Sequence, residues 1–151
     1  MHWSRRAKRE WQVKLKTYFD FAEDDYRFLQ RAREQGIIAN SMGEKAKSVC
    51  ERYMKSIIDK YSAPRAVEDI VCKINALNSR DLVELMTYLN TKMSLCFSNK
   101  TQADLLYINR MSDTLYPGEE SIVLNPAGID KCFMVMSECR NEIMRFEKML
   151  R

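Results

Sequence analysis

Apolar residues recur at helical spacing through most of this chain, and that pattern constrains the fold more than any other feature. Trp3, Ala7, Trp11, Leu15, Tyr18, Ala22, Tyr26, Leu29 and Ala32 return every three or four positions, a mean of about 3.6, the period of an α-helix. A stripe of this kind marks a buried face. The stretch reads as a long first helix over about 3–34, ended by Gly36, which can take the left-handed turn of a helix C-terminus. From Asn40 the stripe resumes through Met42, Ala46, Val49, Tyr53, Ile57 and Tyr61, widened by Cys50, Met54 and Ile58. The short link between the two predicts an antiparallel pair.

Pro64 fits the first turn of a further helix carrying Val67, Ile70, Val71, Ile74 and Leu77 at helical spacing. Asn78 and Ser79 read as caps before Leu82, Leu85, Met86, Leu89 and Met93, a pattern that fades into Ser98-Asn99-Lys100. Thr101 reads as the cap of the next segment, with Leu105, Leu106 and Ile108, which ends at Tyr116-Pro117-Gly118. The closing helix, about 127–150, opens near Pro126 and turns Ile129, Cys132, Phe133, Met136, Cys139, Ile143, Phe146 and Leu150 inward. No β-alternating run competes, and four Gly and three Pro allow few chain reversals. The expected fold is all-α: one up-and-down bundle of five to six helices forming a single domain over 1–151.

The charge is mixed rather than massed, 25 basic against 21 acidic residues, which gives little sign of a polyanionic partner. The one local excess, Arg5, Arg6, Lys8 and Arg9, reads as a solvated helix end. Five cysteines form an odd number without a C-x-x-C pair, so reduced thiols in a cytoplasmic protein are expected. Cys132 and Cys139, two turns apart, and the ten methionines read as core filling. No secretory segment and no apolar run long enough to span a membrane is read. No metal or cofactor is expected.

Little catalytic chemistry is available. The only histidine is His2, which leaves no Ser-His-Asp or Cys-His system of plausible geometry. Asp24-Asp25 and Glu119-Glu120 are adjacent pairs whose side chains diverge or lie in a loop, and they read as solvated surface. Lys45, Arg52 and Lys55 fall roughly along one side of the second helix, a row that could grip phosphates. The i, i+4 neighbours Glu51 and Lys55 equally fit ordinary surface pairing.

Three stretches together resemble the HEPN (higher eukaryotes and prokaryotes nucleotide-binding) family across about residues 15–150. Phe21-Ala22-Glu23-Asp24-Asp25-Tyr26 resembles its opening helix, and Cys50-Glu51-Arg52-Tyr53-Met54-Lys55-Ser56-Ile57-Ile58 is similar to its Ala-Glu-Lys-x-x-Lys-x-Leu-Leu helix. Leu115-Tyr116-Pro117-Gly118-Glu119, with Ile129-Asp130-Lys131-Cys132 and Cys139-Arg140, resembles the loop and closing helix of a bacterial branch. Two positions depart from that pattern: Arg80 stands where the family has histidine, and Leu115 where it has arginine. Active members carry an arginine followed four to six residues later by histidine at a dimer interface, an order impossible here because His2 precedes every arginine.

The resemblance therefore implies a noncatalytic homodimer that binds a nucleotide, RNA or a protein such as a nucleotidyltransferase, in a toxin–antitoxin-like or defence setting. The binding candidates are Lys45, Arg52, Lys55, Arg80 and Tyr116. Two alternatives stand beside it. One is a divergent metal-independent endoribonuclease in which Arg80, Arg110 or Arg140 stabilises the phosphate while a tyrosine or lysine moves the proton. The other is a purely structural dimerisation module.

Overall fold

The computed structural model describes residues 15–114 and 122–151, with Ser4, Pro117 and Gly118. Its elements are α1 (Tyr18–Glu34), α2 (Met42–Tyr61), α3 (Val67–Asn78), α4 (Leu82–Met93), α5 (Asn99–Asn109), a 3-10 turn (Arg110–Thr114) and α6 (Pro126–Leu150). No strand occurs among the described residues, and the all-α bundle expected from the periodicity is the observed architecture.

Helix α1 does not run unbroken from residue 3. Residues 15 to 17 are non-helical, and Thr17 is extended at φ −117°, ψ 161°. Its side chain accepts from the Asp20 N–H at 3.1 Å while the Asp20 carboxylate accepts from the Thr17 N–H at 3.1 Å. This reciprocal capping box satisfies the first-turn donors locally and sets the start where the apolar period alone would run on. Trp3, Ala7 and Trp11, with Arg5, Arg6, Lys8 and Arg9, lie outside the described residues. At the other end Gly36 takes φ +73°, and the Gly36 and Ile37 N–H groups donate to the Arg33 and Ala32 carbonyls, each at 2.9 Å. That is the paired closure of a Schellman turn, which needs a residue tolerant of positive φ.

Three other ends differ from the sequence reading. Asp81, not Asn78 or Ser79, caps α4: it accepts from the Val83 N–H at 2.9 Å and is held by Asn109 Nδ2, also at 2.9 Å. Ser98 rather than Thr101 caps α5 and accepts from the Thr101 N–H, so the polar Ser98-Asn99-Lys100 stretch begins a helix instead of ending one. Pro64 lies in the link before α3, whose first residue is Val67. Helix α6 opens with Pro126 in its first turn, and Asn125 Oδ1 accepts from the Gly128 N–H at 2.7 Å.

Cross-helix pairs fix the helix directions. Glu23–Arg140, Tyr26–Ser137 and Arg33–Asp130 join α1 to α6 with numbers rising on one side as they fall on the other, so the two are antiparallel. Asp25–Arg52 and Phe28–Lys45 make α1 and α2 antiparallel in the same way, and Lys100–Glu138 with Lys131–Tyr107 does so for α5 and α6. Helix α2 is the centre: Val49, Cys50, Tyr53, Met54, Ile57 and Ile58 are all fully buried, and α1, α6, α4, α3, α5 and the 3-10 turn pack around it. Cys132 and Cys139 lie in this core, as do Met42, Met54, Met111 and Met136, but Met134 and Met149 are exposed, so the methionines are only partly core filling.

Candidate functional site

Polar groups converge where α1, α2 and α6 meet. Glu23, on α1, is buried, and its carboxylate accepts three hydrogen bonds: from Tyr53 Oη at 2.7 Å, from Arg140 Nε at 2.6 Å and from Arg140 Nη2 at 3.1 Å. The Arg140 guanidinium also lies 5.1 Å from the centroid of the Tyr26 ring, and Tyr26 Oη shares a 3.1 Å hydrogen bond with Ser137 Oγ. Burial pushes the Glu23 carboxyl up. The Arg140 and Tyr53 hydrogen bonds, with the charges of Arg140 and Arg27, outweigh it and hold Glu23 below the usual carboxylate range. Burial, then the bond to Glu23, pushes Tyr53 far above the ordinary phenol value. The bond to Glu23 raises Arg140 further. This bidentate cluster ties three helices together, and it engages Arg140, one of the three arginines that the nuclease alternative offers for phosphate.

The sequence-predicted binding residues do not form one site. Lys55 is buried and its ammonium donates to Glu51 at 3.0 Å, the pairing that the i, i+4 spacing allowed. Arg52 is joined to Asp25 across the α1–α2 seam. Lys45 is exposed, with its ammonium 5.7 Å from the Phe28 centroid. Arg80 is exposed in the α3–α4 link. Tyr116 lies outside the described residues, as do His2, Leu115, Glu119 and Glu120. The row predicted along α2 thus divides into one buried ion pair, one cross-helix ion pair and one exposed lysine.

Helix α3 departs furthest from the sequence reading. Its apolar stripe faces solvent: Val67 is 75% exposed, Ile70 39%, Val71 49% and Ile74 53%. Ala76 is its one buried residue. At 100° per residue Ala76 lies almost opposite the centre of those four residues, so the face turned to the body is mostly small and polar, with Leu77, the last residue of the predicted stripe, half-buried against the core. Lys73 Nζ on that side donates to the Ser62 carbonyl at 2.6 Å and the Asp59 carbonyl at 3.1 Å, at the C-terminal end of α2, where a cation is favoured. Asp69 meets Lys92 of α4 at 3.1 Å. Val83 of α4, 41% exposed, lines a groove with Cys72 and Ala76 on the other side of α3. The legible signal was the opposite side itself, where Asp69, Lys73 and Ala76 stand without a large apolar side chain among them.

Catalytic acids and bases are tuned toward neutrality. Every shift resolved among the described residues runs the other way: Asp20 and Glu23 down, and Tyr53, Tyr107, Lys60, Lys92, Lys100, Arg140 and Arg151 up. Burial, then its neighbour Cys50, pushes the Cys132 thiol up to about 11, and contact with Cys50 together with burial raises Cys139. Neither is a thiolate nucleophile at neutral pH. No cluster of three or more His, Cys, Asp or Glu side chains among the described residues is placed to hold a metal, and no described helix is long and apolar enough to cross a membrane. Comparisons with family models, with curated proteins and with solved structures returned no match.

Proposed function

We propose that this chain is a noncatalytic, HEPN-like binding module that acts through protein–protein association, first with a second copy of itself. The outward apolar face of α3 carries this reading. A helix that turns four β-branched apolar residues to water, while its small and polar side packs on the body, leaves burial free energy to be gained by a partner. The tuning of the ionisable groups away from neutrality, and the engagement of Arg140 by Glu23, support the noncatalytic half.

The stripe's own symmetry favours a second copy. Positions 67, 70, 71 and 74, each valine or isoleucine, are spaced symmetrically about a point between Ile70 and Val71. Two α3 helices crossing antiparallel about a two-fold axis there would set Val67 against Ile74 and Ile70 against Val71, which is the self-complementarity an isologous interface requires. Glu68 would face Asn75, so no like charges oppose each other along that flank. The resemblance-derived partner, a nucleotidyltransferase, is the heteromeric form of the same reading.

Sedimentation equilibrium tests it. The wild-type chain is expected to sediment with twice the monomer mass at micromolar concentration. Val71→Asp, at an exposed position, is expected to sediment as a monomer with its helicity intact, because an uncompensated carboxylate at the centre of an apolar contact costs several kcal/mol. A wild-type chain that remains monomeric at every accessible concentration contradicts the homodimer.

A further inference from the structure

The α1–α2 connection builds a cleft that the dimer reading does not use. The Schellman turn at Gly36 brings Ile37 back past Ala32, and Phe28 and Ala32, one turn apart on α1, face Met42 and Lys45 on the first turn of α2. The cleft encloses about 370 Å³, near the lower end of the roughly 300–1,000 Å³ typical of ligand pockets. Its floor is buried and apolar (Leu29 1%, Ala32 6% and Met42 5% exposed), whereas its lips, Phe28 and Ile37, are 58% and 51% exposed.

Two cations stand on its wall, Arg31 and Lys45, and no carboxylate lines it. Neither cation meets a carboxylate among the described residues, unlike Arg27, Arg33 and Arg52 on the same two helices, each of which does. An apolar trough whose two cations meet no carboxylate, Lys45 lying over the Phe28 ring instead, and whose other polar lining side chains are Gln35 and Ser41, fits one ligand chemistry: an apolar tail bearing an anionic head. Its volume suits one chain rather than two. A nucleobase would find few groups to read its polar edges, and a cationic amphiphile would be repelled.

We propose that this cleft binds a single-chain amphiphilic anion, an alkyl carboxylate or alkyl phosphate. The tail lies over Leu29, Ala32 and Met42, and the head sits between Arg31 and Lys45. The site is at the N-terminal end of α2, whereas α3 is anchored at the C-terminal end of that 20-residue helix, roughly 25 Å away. The two proposals therefore fail or stand separately.

Isothermal titration calorimetry of the full chain with dodecanoate and with dodecyl phosphate, each below its micellar concentration, tests the site. Saturable binding at one molecule per chain is expected for at least one head group, and the tighter of the two identifies the anion. Arg31→Glu and Lys45→Glu, both at exposed positions, should each weaken binding about tenfold with unchanged circular dichroism. Dodecanol should bind at least about tenfold more weakly than the anions, and dodecyltrimethylammonium should not bind. Absence of binding by both anions, equal binding of the cationic amphiphile, or affinity unchanged by both charge reversals would overturn the assignment.

Discussion

Arg140→Ala is expected to destabilise the fold by about 3 kcal/mol, the scale on which removing one partner of a buried ion pair acts. The substitution strands the Glu23 carboxylate, whose side chain is only 12% exposed, with Tyr53 as its one remaining close donor and Arg27 at 3.7 Å. Urea unfolding followed by circular dichroism reads the loss directly. Replacing both members, Glu23→Leu with Arg140→Leu, should cost less than the two single changes added together, because the desolvated charges disappear as a pair.

The same cluster sets an acid limit. Glu23 is held below its ordinary pKa in the folded chain, so the unfolded chain binds more protons as pH falls. The stabilisation is complete above the unfolded carboxyl value, about 4.3, and is lost as pH falls through the lower, folded value. In Arg140→Ala, burial, which raises the pKa, loses its main opponent. The folded value then moves back toward or above the unfolded one, so Glu23 no longer contributes an acid limb, and the stability deficit of the variant should be largest at neutral pH and shrink as pH falls through the carboxyl range. An unchanged limb would mean that the Glu23–Arg140 pair is not what holds the carboxylate ionised.

Phe146→Ala is expected to cost about 4 kcal/mol. Phe146, 1% exposed, lies edge-on to Phe97 with centroids 5.1 Å apart and planes at 63°. It pins the non-helical segment between α4 and α5 against the closing helix. Truncation removes a large buried surface, opens a cavity that two helices cannot close without moving, and forfeits the aromatic pair. Phe146→Leu, which keeps most of the volume, should lose much less. A Phe146→Ala variant with near wild-type stability would show that the α4–α5 segment repacks freely.

How far the fold was legible depended on whether the deciding contact was local. The stripes of α2 and α6 show in the sequence because both helices lie in the core with wide apolar faces, and Pro126 and Gly36 mark ends through backbone constraints that need no partner. The Thr17-x-x-Asp20 box was also local, but the apolar period running through it hid the start of α1. Periodicity could place the face of α3 without giving its direction. That direction is set by Lys73 reaching the end of α2 and Asp69 reaching Lys92, contacts that appear only once the chain is folded.

The site was less legible for the same reason. Lys55–Glu51 lay within one helix and was foreseeable, but Glu23 and Arg140 are 117 positions apart, and no spacing rule connects them. Arg52 could be placed on α2 from its period, yet its commitment to Asp25 depends on the register of two antiparallel helices. The Arg31–Lys45 cleft likewise required the geometry of the turn between them.

The association of two α3 helices about a two-fold axis is tested most directly by disulfide trapping at its two ends. With the exposed Cys72 and Cys96 changed to Ser, Val67→Cys and Ile74→Cys are prepared separately and then mixed under mild oxidation. In the antiparallel arrangement residue 67 of one copy meets residue 74 of the other. Two copies of residue 67 would lie about 10 Å apart along the axis, beyond the roughly 7 Å Cα separation a disulfide can bridge. The predicted result is a cross-linked dimer in the mixture and none from either variant alone. Cross-linking of neither combination, or of Val67→Cys with itself, would contradict the proposed association.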